Sequence, residues 1–541
     1  MKGSFRQSMA WLHTWSGLIV GWVLFAVFVT GTASYYRPEI SRWMQPELRQ
    51  SEDLGPEALV TAAERAIIYL QQHAEQSRAW FITLPTAEKP VTGLFWRNAP
   101  GQPPNIVLLD PATGERAEVR ETRGGDFLYR FHFELHMPPI WGRWIVGICA
   151  FIMLIALISG VITHKRIFTD FFTFRRDKAP RRSFLDAHNV TGVLALPYHL
   201  MITYTGIVTF GLMYMPWGVQ TAYDGNQQRF YAETGQSTAA RPPSGQPGTL
   251  ATIGPMVRQA LSTMPEPLER LSILNPYDAN ATVVAVFEEP HGISHEHPQI
   301  AFDGTTGEIR EIRKGGLKPA SKTLTTMVGL HEAHFAGPAL RFLFFLSGLG
   351  GCAMVATGLL LWTIARLPKP GVKPSIGFHI VESLNIATIA GLPAAIAFYF
   401  LANRLLPAAW PERASWEIWA FFSGWLVLAI AALFRPHRRA WSELFVSTAL
   451  LYVCVCAVDV ARIVQGLQTG ALSIDPFYIA FDTAMLALAA LFAFAARKIA
   501  VYENVSKRKN STSPNRNKCV KGLQRPNPAN EAAAVPAKSL L

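Results

Sequence analysis

Charge is scarce in this chain. Only 16% of its 541 residues are Asp, Glu, Lys or Arg, against 50% hydrophobic, a balance that excludes an ordinary soluble protein of this size. Cysteine is scarce too. The five present, Cys149, Cys352, Cys454, Cys456 and Cys519, lie in hydrophobic runs or the C-terminal tail and never in the two long polar segments, so there is no disulfide framework. Cys454 and Cys456 form a C-x-C on an apolar stretch, which reads as packing ahead of metal binding. There is no Walker loop, no strand followed by G-x-G-x-x-G, no C-x-x-C-H haem attachment site and no Ser-His-Asp signature in context. The formal charge of +12 does not indicate nucleic acid, because the basic residues sit in short segments between hydrophobic runs, where they set topology.

What is abundant is uncharged sequence long enough to cross a bilayer, which takes about 20 apolar residues. Eight helices are expected, over 9–36, 138–163, 188–215, 338–365, 377–403, 415–434, 443–464 and 476–496. The first run exceeds the ~7–15 residues of a signal-peptide core and reads as a retained helix. Lys2 and Arg6, the run from Lys165 to Arg182 within a basic loop at 164–187, and Arg366, Lys369 and Lys373 mark the cytoplasmic side. Segments 37–135 and 217–333 then lie outside as candidate small α+β domains. Both termini lie inside, and 497–541 has the composition of a disordered tail.

Residues 1–365 contain an internal repeat. His13-x3-Gly17 is followed by Thr30-Gly31, and His188-x3-Gly192 by Thr205-Gly206, at the same offset. Arg143 precedes Gly160 of Ser159-Gly160 by seventeen residues, as Arg341 precedes Gly358 of Thr357-Gly358. Each half is helix, outside segment, helix: a duplicated two-helix core. The outside segments repeat as well. Val107-Leu-Leu-Asp110-Pro-Ala-Thr-Gly114-Glu and Ile300-Ala-Phe-Asp303-Gly-Thr-Thr-Gly307-Glu each read as a strand entering a turn capped by Asp and released by Gly.

The histidines carry the chemistry, since an ionisable ring at a helix end or within a membrane needs a partner. Two imidazoles from facing helices can hold one haem iron between them. His13 and His188 are equivalent in the repeat, and Gly17 and Gly192, one turn on, open room for a flat ring. A second pair is His136 with His331, from Leu-His-x5-Gly in both halves; counting from the arginines gives His334 instead, so both stay open. His199 lies within the third helix and could bind a cofactor or line a path between two, and His164 is a further candidate. His291, His295 and His297 could catch a metal but read first as an exposed polar loop. The Ser/Thr-Gly steps suit close helix packing. Asp459 and Arg462 read as a pair near an interface, and Asp482 gains interest if it is intramembrane.

With Leu12-His13-Thr-Trp-Ser-Gly17-Leu and Thr30-Gly31, Leu135-His136 with Gly142-Arg143, His188-x3-Gly192, and Leu330-His331 through Arg341 to Thr357-Gly358-Leu-Leu-Leu-Trp362, the chain resembles the PepSY-associated transmembrane proteins. These are bacterial inner-membrane proteins often linked to iron uptake, some of them ferric-siderophore reductases. The resemblance covers about residues 5–365, and Ala402 to Pro407 is similar to a segment of longer members. It implies an α-helical integral membrane protein with two small periplasmic PepSY-like domains and a four-helix core binding haem.

The expectation is therefore a multi-pass inner-membrane reductase with two non-covalent b-type haems. It would pass electrons from a quinol or cytoplasmic reductase to a periplasmic ferric siderophore or chelate, among membrane lipids and without nucleic acid. Outer-sphere transfer needs no catalytic acid or base. The competing expectations are a PepSY scaffold that binds a periplasmic partner without haem, and a transporter, which parallel repeats also suit.

Overall fold

A computed structural model describes residues 4–48, 54–99, 101–163, 180–234, 241–368, 372–468 and 475–511. The first half contains α1 (Phe5–Ser34), α2 (Arg37–Met44), α3 (Pro56–His73), β1 (Ala79–Thr83), β2 (Thr92–Trp96), β3 (Asn105–Leu109), α4 (Gly124–Glu134) and α5 (Pro139–Thr163). The second contains α6 (Pro180–Leu194), α7 (Leu196–Thr209), the short α8 (Gly211–Tyr214), α9 (Trp217–Tyr223) and α10 (Gln227–Glu233), then α11 (Ile253–Thr263), β4 (Leu268–Leu274), β5 (Thr282–Phe287), β6 (Gln299–Asp303), β7 (Ile309–Arg313), α12 (Pro319–Glu332) and α13 (Pro338–Ile364). Beyond the repeat lie α14 (Ile376–Ile389), α15 (Gly391–Leu405), α16 (Arg413–Phe434), α17 (His437–Gln468) and α18 (Pro476–Ser511).

Among the described residues, seven helices are long and apolar enough to cross a membrane, or eight if the bent pair α6–α7 is one span. The chain is a multi-pass membrane protein. The single helix expected over 188–215 is instead broken at Ala195, with a bend of 66°. Pro197 in the first turn of α7 is the cause, since it gives no amide proton to the preceding turn and its ring crowds the carbonyl there. At the other end, α18 continues to Ser511, past Arg497 where a disordered tail is expected; residues 512–541 and most of the basic loop lie outside the described residues.

The two long polar segments, 37–135 and 217–333, do not fold as separate domains. Their strands form one antiparallel sheet in the order β3-β2-β1-β4-β5-β6-β7, joined where Trp80 of β1 stands opposite Ile273 of β4. The physical reason is the edge: a three- or four-stranded half would leave a row of unpaired amides and carbonyls, and pairing β1 with β4 satisfies them. Both α3 and α11 pack on this sheet, so that Ala63, Leu70, Trp80, Val257, Ile273 and Phe287 share one core. The two turn motifs form as read. Asp110 accepts from the amides of Ala112 and Thr113 at 3.0 and 2.8 Å, and Asp303 from those of Thr305 and Thr306 at 2.9 and 3.2 Å. Gly114 and Gly307 take φ of +76° and +79°, where a side chain would strain the backbone.

In the membrane part, α1 packs against α5 and α13, and α13 against α6, while α4 lies along α1 and α12 along α7. The later helices close on this bundle. Trp22 donates to the Asn385 side-chain oxygen at 2.9 Å, and the Tyr399 hydroxyl to the Gly124 carbonyl at 2.9 Å. One apolar core runs through both groups, from Leu24 and Phe131 to Leu392 and Phe421.

Candidate functional site

At the end of the bundle remote from the sheet, His13 of α1 and His188 of α6 face each other with ring centroids 6.1 Å apart. Nδ1 of His13 lies 2.8 Å from the Ala156 carbonyl oxygen, and Nδ1 of His188 lies 2.9 Å from that of Met354. A carbonyl can only accept, so each Nδ1 carries the proton and each neutral ring has its lone pair on Nε2. Both histidines line a cleft of about 420 Å³ together with Gly17, Gly192, Arg181 and Arg366, within the ~300–1,000 Å³ usual for ligand sites.

At the sheet end a second pair forms from α4 and α12. His132 and His331 lie with centroids 6.0 Å apart and planes 31° apart. Nδ1 of His132 donates to the Val27 carbonyl at 2.7 Å. Nδ1 of His331 lies 3.2 Å from the Thr205 hydroxyl, which gives its own proton to the Met201 carbonyl at 2.7 Å. Val27 is fourteen residues after His13 on α1, so the pairs are separated by about 21 Å along that axis at ~1.5 Å per residue.

The four histidines share one local design. Each lies on a glycine of a neighbouring helix: His13 on Gly160, His188 on Gly358, His132 on Gly31 and His331 on Gly206. A Cβ added at those glycines would stand 3.1, 3.2, 2.6 and 2.8 Å from the respective ring. The Ser/Thr-Gly steps that the sequence suggests for helix packing are therefore the seats of the rings. Three of the Nδ1 protons go to the carbonyl four residues before the glycine, at Ala156, Met354 and Val27. Such a bond fixes the tautomer and orients a ligating imidazole. An iron between two imidazoles needs ring centroids about 6 Å apart, taking ~2 Å for each metal–nitrogen bond and ~1 Å to each ring centre. Both pairs meet that spacing.

The remaining expected residues fall elsewhere. His136 is exposed, four residues past His132 in a left-handed conformation (φ +56°), and packs on Phe127 and Phe422; His331 is opposed by His132 in its place. His334 is also exposed and sits in a polar cluster with Glu289 and His295. His164 lies outside the described residues. His199 is fully buried beside Phe28 and Tyr198. Along the chain it falls between His188 and Thr205, whose hydroxyl meets His331. Neither of its ring nitrogens makes a hydrogen bond of good geometry among the described residues.

The sequence does hold a signal for His132. His132-Phe-Glu134-Leu-His136 and His331-Glu332-Ala-His334 share a His, Glu, x, His order if one residue is inserted after the first histidine. Both helices end on that glutamate, with left-handed caps at Leu135 and Ala333. Ungapped comparison hides this, and the Leu-His-x5-Gly match misassigns the partner. Beside the sheet end, a cavity of about 610 Å³ is lined by Arg143, Tyr231, Arg270, His295 and His297.

The chain is 27% identical over 376 residues, 64% of its own length and 89% of the relative's, to an uncharacterised protein of Pseudomonas aeruginosa. The model of the PepSY-associated TM region matches residues 10–365, the stretch that holds both histidine pairs and the shared sheet. The chain belongs to the PepSY-associated transmembrane family.

Proposed function

We propose that this protein is an inner-membrane di-haem reductase that delivers electrons to a periplasmic ferric siderophore or other ferric chelate. The observation that carries the reading is the occurrence of two histidine pairs, each with ring spacing suited to one iron, at opposite ends of one helical bundle. His13 and His188 would hold the inner haem, and His132 and His331 the outer one. Bound there, b-type haem supplies one-electron transfer, and reduction of Fe(III) to a softer ion loosens its hold by the hard oxygen donors of a chelator.

The chain's own contribution is placement and tuning. Each Nδ1 bond holds a ring in one tautomer and makes its Nε2 a stronger donor. Arg181 and Arg366, which line the inner cleft, suit the carboxylates of a porphyrin. Arg143 and Arg270 in the cavity beside the sheet suit an anionic chelate. The basic short segments support an orientation with the inner pair toward the cytoplasm and the sheet in the periplasm.

Pyridine haemochrome assay of protein purified after expression with ample haem tests the reading. Two haems per chain are expected, with a dithionite-reduced spectrum that reoxidises on adding a ferric chelate under anaerobic conditions. Protein without haem would contradict the reductase and favour the scaffold. Two haems that a ferric chelate leaves reduced would contradict the substrate assignment.

A further inference from the structure

The loop between β5 and β6 and the end of α12 bring together a second set of ligating side chains, distinct from both pairs. One donor atom each from Glu289, His295 and His334 lies within 4.8 Å of the others. His297 joins them, with Nε2 3.4 Å from Oε1 of Glu289. The rings of His297 and His334 stand 5.2 and 5.6 Å from that of His295. Glu289 is 14% exposed and His334 53%, so the carboxylate forms a floor and the site opens outward.

The nitrogens of this cluster converge on one carboxylate oxygen. Nδ1 of His297 lies 2.9 Å from the Phe287 carbonyl and must be its donor, which leaves Nε2 as the nitrogen that faces Glu289 Oε1. Nδ1 of His334 approaches the same oxygen at 3.8 Å, and Nδ1 of His295 touches it. Yet neither Oε1 of Glu289 nor Nδ1 of His295 has a hydrogen bond of good geometry among the described residues. Three imidazole nitrogens and one carboxylate oxygen that face a common point are a donor set that a single metal ion would satisfy together. Donor atoms around a tetrahedral ion at ~2.1 Å stand about 3.4 Å apart, which the cluster reaches by small side-chain rotations.

We propose that Glu289, His295, His297 and His334 form a binding site for one divalent first-row transition-metal ion. Three nitrogens and one carboxylate suit Zn(II), Fe(II) or Ni(II), and not Ca(II) or Mg(II), which demand oxygen. The site does not depend on haem at the other histidines. It also gives His334 a role other than that of His331, three residues earlier on the chain.

The test is calorimetric titration of Zn(II) into the full-length protein in detergent, freed of tag histidines, with metal content measured after dialysis. One equivalent is expected. His334→Ala and Glu289→Gln should each weaken binding about tenfold or more, whereas His291→Ala, at an exposed position outside the cluster, should leave it unchanged. His334 is on the surface, so its variant will fold, as gel filtration will verify. The proposal is overturned if the native protein takes up no stoichiometric Zn(II), or if the double variant His295→Ala/His334→Ala binds it as the native protein does.

Discussion

The duplicated half and the helices that follow it both bury polar side chains among apolar helices, but they satisfy them in opposite ways. In the duplicated half the groups at the two sites are imidazoles, each with Nδ1 turned to a protein oxygen. In α15 to α17 they are ions that answer one another. Arg413 and Glu417 pair with neither exposed, and Asn403 and Thr122 add bonds to Glu417 at 2.8 and 2.5 Å. Arg404 pairs with Asp459 at 2.6 Å and lies over the Trp43 ring at 3.8 Å. A mutually neutralised network fixes helices to one another. Paired imidazoles whose Nδ1 is held by the protein are oriented to ligate. The first region is read as a ligand frame and the second as its clamp.

The comparison breaks if variants of the clamp alter haem, or variants of the frame alter only stability. The largest effect is expected in the clamp. Glu417→Ala strands the buried Arg413 charge, which typically costs about 3–5 kcal/mol, so detergent gel filtration should show lost or aggregated protein, while any folded fraction keeps a native haem spectrum. In the frame, Gly31→Val should expel the His132 ring, since even a Cβ there would stand 2.6 Å from it, and reduce haem by one per chain with little loss of folded protein. Gly160→Ala is gentler. The added methyl would stand 3.1 Å from His13, so both haems should remain and the midpoint potential of one should shift in a redox titration.

The smallest effect is expected in the shared sheet. Burial alone would raise the Asp303 carboxyl, but the Thr305 hydroxyl and amide, the Thr306 amide and the nearby Arg241 guanidinium bring it down to about 2. With an ordinary value of about 3.9 in the unfolded chain, its stabilising contribution is complete above about pH 4 and lost as pH falls toward 2. The melting-temperature gap between the native protein and Asp303→Asn should therefore narrow from pH 5 to pH 3.

Much of this was legible in the sequence because it is local or strictly repeated. The Asp110 and Asp303 turns are set within a few residues, and His13 and His188 share a spacing with no gap. What was not legible depends on contacts between distant segments. Joining β1 to β4 links residues nearly two hundred apart, which no local alternation reports, so two domains were expected where one sheet forms. The pairing of His132 with His331 is hidden by a one-residue insertion ahead of a helix cap. The glycine seats look like packing motifs until the rings lie on them. Pro197 was visible, but its consequence, a helix bent by 66°, was not drawn from composition alone.

The central claim is that His132, and not His136, completes the outer pair, and haem stoichiometry in the two single alanine variants tests it most directly. Pyridine haemochrome assay should give two haems per chain for the native protein, one for His132→Ala and two for His136→Ala. Two haems in His132→Ala, with one lost from His136→Ala, would contradict the account.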